Sequence, residues 1–236
     1  MDAASCLAGL SEHPWFAAAG LLVAAGAVRG LLRLVRIVPI AAAYKAKVLC
    51  SAVFVSGRDP ASVLAEDVAV DSYRPLRLFR AEVDRGRRSV TVSLAGLASR
   101  TAACSPGFGA ALVFGLGGGA APPAVEDAPF PARGGAWPEG DSGPDAAVPP
   151  ALAKVLEDAF SEPRPRRLRR TRAVAVSLGG RLAAERYAPG FGPDSALAGW
   201  SMTKSVTHAL TGVLVAEGKL SLDAAALLPE DRKSVV

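Results

Sequence analysis

Ser201 and Lys204 stand three residues apart in the stretch Gly199-Trp200-Ser201-Met202-Thr203-Lys204-Ser205-Val206. On a helix that interval is close to one turn, so the lysine amine can reach back to the serine hydroxyl. A serine hydroxyl is a poor nucleophile until a base takes its proton. A lysine serves as that base only where burial or a neighbouring cation weakens its hold on its own proton. A helix beginning at the serine would add N–H groups and a partial positive charge aimed at the reacting centre. The backbone N–H of Ser201 would then form half of an oxyanion hole. The chemistry is acyl transfer, with an amide or ester carbonyl attacked and held as an acyl-enzyme. The competing reading makes Ser201 a helix cap and Lys204 a solvated surface charge. With eighteen serines and six lysines in 236 residues, chance alone yields about half of one S-x-x-K. Spacing does not separate the two readings.

The elements around the pair are more definite. Downstream, "SMTKSVTHALTGVLVAEGK" places Val206, Leu210, Val213 and Leu214 at helical spacing, and Gly218 closes the run. Upstream, two β-compatible runs, Thr171 to Ser177 and Arg181 to Tyr187, meet at Gly179-Gly180, which predicts an antiparallel hairpin. It leads through the Pro189–Gly199 region to a helix beginning near Ser201. "PALAKVLEDAFSEP" (Pro150 to Pro163) is a helix bracketed by prolines, with Leu152, Val155, Leu156 and Phe160 on one side. Earlier, Val90, Val92 and Leu94 alternate as in a strand within Arg87 to Leu97, and Pro60 to Val68 reads as a short helix. "PGFGAALVFGLGGG" lacks the G-x-G-x-x-G spacing of a nucleotide loop and predicts a flexible turn. Residues 115–150 are loop-rich, with proline, glycine and aspartate and little periodicity from Ala120 on. His208, seven residues past Ser201, is too distant to be its base and takes a packing or surface role.

Composition narrows the classes. Hydrophobic residues make up 50% of the chain but aromatics only 6%, so the core is built from small and aliphatic side chains. The net charge of +5 permits contact with anionic lipid or nucleic acid without requiring it. Six arginines crowd "RPRRLRRTR" (Arg164 to Arg172), a solvated linker by default and a lipid contact as the alternative. No interleaved aromatic platform supports nucleic acid. Cys6, Cys50 and Cys104 show no metal-site spacing. They read as three free thiols, with a Cys50–Cys104 bridge the lesser alternative. The uncharged run Trp15 to Val28, followed by Arg29, Arg33 and Arg36, is short of the ~20 residues of a spanning helix unless the arginines snorkel. A membrane anchor is the preferred reading, ahead of an amphipathic or buried helix and of a cleaved signal peptide. His13, just before the run, reads as interfacial. The arginines that follow point weakly to a cytoplasmic domain, so the side of the membrane is left open.

"WSMTKSVTHALTGVLVAEGKLSLD" closely resembles the active-serine segment of β-lactamase-related serine hydrolases. That superfamily takes in class C β-lactamases, penicillin-binding proteins and 6-aminohexanoate-dimer hydrolases. Trp200-Ser201, Lys204-Ser205 and the exit Gly218 to Asp223 match its W-S-x-x-K-S and G-x-L-x-L-D pattern. "GGRLAAERYAPGF" is similar to the family's opening hairpin, with Gly180, Glu185, Tyr187 and Gly190 in place. "KAKVLCSAVFVSGRDPASVLAEDV" and "WPEGD" (Trp137 to Asp141) resemble a membrane-anchored subgroup. The likeness covers about Tyr44 to Asp223. It implies an α+β fold, the N-terminal portion of a β-lactamase/transpeptidase-like domain, preceded by an apolar N-terminal helix. Ser201 is then the nucleophile and Lys204 the general base, with no cofactor and no metal. The substrate is a small-molecule amide or ester, membrane lipid is met through the N-terminal segment, and nucleic acid is not a partner. The family's later Tyr-x-Asn and Lys/His-x-Gly elements match no position after Asp223, so the expectation is a front portion of such a hydrolase. The closing "DRKSVV" resembles a translated sequencing-adapter stretch. The expected organisation is an anchor and juxtamembrane segment at 1–45, hydrolase-domain sequence at 46–230 and an artefactual tail at 231–236. A non-catalytic membrane-bound binding module is the rival from another class.

Overall fold

Alanine, leucine and valine dominate residues 14–54, with no acidic side chain and Pro39 as the sole internal proline. Strong helix formers at that density give one helix, α1 (Pro14–Phe54), 41 residues long. The computed structural model describes residues 14–68, 70–114, 123–125, 131–144, 147–164 and 167–224. His13, Cys6 and the 231–236 tail lie outside the described residues. The chain divides into two compact units, Met1–Ala196 and Leu197–Val236.

In the first unit, the inner part of α1 lies on a four-stranded antiparallel sheet. The strands are β1 (Arg80–Asp84), β2 (Ser89–Leu94), β3 (Leu97–Ser105) and β4 (Gly109–Val113), paired in chain order. Ala42, Ala46, Leu49, Cys50 and Val53 of α1 are buried together with Val90, Val92, Ala102 and Cys104 of the sheet. Two alanines on the contact face bring the helix axis close to the strands, which suits a core poor in aromatics. α1 runs without a break through the expected boundary at residue 45, and its burial begins at Ala42. Its outer part is exposed among the described residues. Leu21, Leu22, Val23, Leu31, Leu34 and Ile40 are all more than half exposed.

Ala95 and Gly96 take positive φ angles of 49° and 77°, the geometry of a tight two-residue hairpin turn between β2 and β3. β3 and β4 then extend the sheet beyond the strand that the Val90–Val92–Leu94 alternation signals. β4 occupies part of the glycine-rich stretch expected to be a flexible turn; the turn itself is confined to residues 106–108. Cys50 and Cys104 are both buried and free, so the bridge between them is not formed.

Beyond α1, Asp59 caps α2 (Pro60–Val63) by accepting from the Ser62 N–H at 2.9 Å. The helix widens into a π turn (Leu64–Val68) and a 3₁₀ segment follows (Asp71–Leu78). Residues 123–125, 131–144 and 147–149 hold no helix or strand beyond a single bridge between Ala136 and Ser142, in keeping with the loop-rich reading. α3 (Pro150–Phe160) starts at Pro150, where a missing N–H costs nothing. It buries Leu156, whereas Val155, expected on the same face, points to solvent. β5 (Ala173–Leu178) and β6 (Arg181–Tyr187) form the expected hairpin, with Gly179 and Gly180 at φ 58° and 80°.

The fold is α+β with an N-terminal helix. Among the described residues, no helix is long and apolar enough to cross a membrane. The run without charge ends at Arg29, and the spanning anchor finds no support here.

Candidate active site

The second unit carries the serine. A single 3₁₀ turn (Trp200–Met202) runs into α4 (Thr203–Ala216). The turn is made in an unexpected way. Gly199 has an ordinary φ of −74°, while Trp200 takes the left-handed value of 46°. A bulky residue is rarely found there, and such conformations gather at functional turns. The Met202 N–H donates back to the Gly199 carbonyl at 2.9 Å, closing the bend. A tryptophan is not a residue that turn chemistry would select for this conformation.

The bend places Ser201 at the threshold of α4 and Lys204 on its first turn. The Lys204 ammonium donates to the Ser201 hydroxyl oxygen at 3.2 Å. The spacing allowed these two side chains to meet, and they do. In the ammonium form the lysine holds the oxygen as a hydrogen-bond donor; after loss of a proton, the same contact runs from the hydroxyl to the amine. The N–H groups of a helix's first turn lack intrahelical acceptors, and they lie beside the serine.

Neither side chain lies in a cleft: Ser201 and Lys204 are both exposed. Val206, Leu210, Val213 and Leu214 have the predicted helical spacing, yet none is buried. His208 is exposed on the same helix, consistent with a surface role. A cavity of about 460 Å3 lies elsewhere, lined by Pro163, Arg164, Arg167, Leu168 and Arg169 of the arginine-rich loop. Glu162 accepts from the backbone N–H groups of Arg169 and Arg170 at 2.6 and 2.7 Å, and those contacts hold its carboxyl below the usual range.

In the first unit, two of the hairpin residues, Tyr187 and Glu185, are in contact. The Tyr187 hydroxyl donates to Glu185 at 2.6 Å. That bond, with some burial, pushes the phenol up to about 12. Among the described residues, no group of three or more His, Cys, Asp or Glu is placed to hold a metal.

Compared with protein-family models, with curated proteins and with solved structures, the chain matches none. The functional reading therefore rests on the residues and their geometry.

Proposed function

We propose that the chain belongs to a membrane-attached serine hydrolase of β-lactamase/transpeptidase-like fold, acting on an amide or ester. Ser201 attacks the carbonyl carbon and Lys204 accepts its proton. The tetrahedral intermediate, its oxyanion held by the backbone N–H of Ser201, breaks the carbonyl's bond to the amine or alcohol, which leaves with the proton returned by Lys204. Water then hydrolyses the acyl-enzyme to the free acid and Ser201. The observation that carries this reading is the 3.2 Å contact between Lys204 and Ser201 at a helix start, presented by a left-handed Trp200. For Lys204 to act as a base, substrate or further polypeptide must cover the exposed pair.

Attachment rests on the outer half of α1. Its exposed apolar residues surround the helix, and Arg29, Arg33 and Arg36 recur at intervals of four and three, forming one stripe. A helix of this kind lies in the lipid interface with its arginines at the phosphates.

A fluorophosphonate probe, followed by peptide mass spectrometry, tests the chemistry. The expected result is modification of Ser201 at a low rate in the 236-residue chain, none in Ser201→Ala, and labelling slowed about 100-fold or more in Lys204→Ala. Equal modification of wild type and Ser201→Ala removes the catalytic reading and leaves a binding module.

A further inference from the structure

We infer that the 3₁₀ segment Asp71–Leu78 is a second lipid contact, a cationic and aromatic collar that seats the sheet domain on an anionic bilayer surface. The inference rests on the proposed attachment of α1 and adds to it a surface that recognises anionic headgroups. The segment "DSYRPLRL" turns two faces outward and inward. Leu76 and Phe79, the residue after it, are buried in the core. Tyr73, Arg74, Arg77 and Leu78 are exposed, Leu78 by 74%. Neither Arg74 nor Arg77 has an ion pair among the described residues. Two exposed guanidiniums flanked by a tyrosine and a bare leucine suit a headgroup layer, where aromatic rings and arginines both concentrate.

The position of the segment along α1 makes the partner specific. Lys45 of α1 is 4% exposed and donates to the Leu76 and Phe79 carbonyls at 2.9 and 2.6 Å. One residue earlier, the Tyr44 ring stacks on Tyr73 with centroids 5.1 Å apart. These contacts fix the collar to one level of the helix. Ile40, the last strongly exposed residue of the apolar half, lies one turn before Tyr44, about 6 Å along the axis. With the apolar half lying along the interface, a surface fixed one turn further along the same helix stays at the level of the headgroups. A nucleic acid would use the same two arginines but leave Leu78 and the adjoining apolar helix uncovered, so lipid fits the surface better.

The test measures partition of the full chain onto vesicles of phosphatidylcholine alone and of phosphatidylcholine with 30% phosphatidylglycerol, by co-sedimentation. Each arginine close to an anionic surface strengthens partition about fivefold. Arg74→Gln/Arg77→Gln should therefore weaken binding to the anionic vesicles by about thirtyfold while changing binding to the neutral ones less than twofold. Raising salt from 50 to 500 mM should erase most of the wild type's preference for anionic vesicles, a check that needs no variant. Unchanged partition of the double variant, with wild type still bound, overturns the collar and spares the attachment. No binding of wild type to either vesicle overturns the attachment itself, and the collar with it. A preference of wild type that persists at 500 mM salt, or loss of self-association rather than of lipid binding in the variant, also overturns the collar.

Discussion

Burial pushes the Cys50 thiol up to about 11 from an ordinary value of 9.0, with Cys104 adding to the rise and Lys47 and Arg88 opposing it. The folded chain thus keeps a proton that the unfolded chain gives up near pH 9. A raised thiol pKa contributes stability that is intact below pH 9 and is lost as pH climbs toward 11. Thermal unfolding followed from pH 7 to 11 should show a falling melting temperature, and Cys50→Ala should flatten that fall while lowering stability at pH 7. Parallel curves for the two proteins would show that Cys50 does not titrate as proposed. Residue identity alone did not disclose this thiol's setting; three unpaired cysteines with no motif say only that no framework exists. Lys45 was equally hidden. In "AYKAKV" it reads as a surface lysine, and only the arrival of the Leu76 and Phe79 carbonyls from thirty-odd residues away makes it an interior donor. Ser201 and Lys204 were legible because their contact is local. Trp200 was not, because the chain put its strain one residue past the glycine.

At the scale of elements, the same division between local and distant signals holds. The β5–β6 hairpin, α3 and α4 appear where turn glycines, bracketing prolines and helical periodicity placed them. β1, β3 and β4 escaped notice. "RAEVD" is charged at alternate positions, "LASRTAACS" has no β-branched residue except Thr101, and β4 sits among glycines. These are strands because each finds a neighbour to pair with, and pairing partners are not visible in a short window. The other half of the bargain is the helix that covers them. Leu49 of α1 is fully buried against the sheet. Leu49→Ala should cost about 2–5 kcal/mol in urea unfolding. A loss below about 1 kcal/mol would mean that α1 and the sheet are not one cooperative core.

Across the first unit, one cluster ties the sheet region to the hairpin. Arg58, just beyond α1, pairs with Asp67 and with Glu66, the latter at 2.8 Å. Arg172, leading into β5, reaches Asp67 at 2.7 Å and Glu66 at 3.4 Å. Both guanidiniums also lie over the Phe191 ring, at 5.7 and 5.6 Å from its centroid. The contact from Glu66 to Arg172 joins residues 106 positions apart and ties the hairpin to the part of the protein that α1 carries. Asp67 and Arg172 are each only 22% exposed, and a partly buried ion pair of this kind is screened less than a surface one. A double-mutant cycle with Asp67→Asn and Arg172→Gln should give a coupling of about 1–2 kcal/mol. Its structural signature separates it from general loss of stability. Amide hydrogens of β5 and β6 should exchange faster in either single variant, while those of β2 and β3, buried under α1, keep their protection. Uniform loss of protection across both sheets, or additive single effects, would show that the hairpin is held by something other than this cluster.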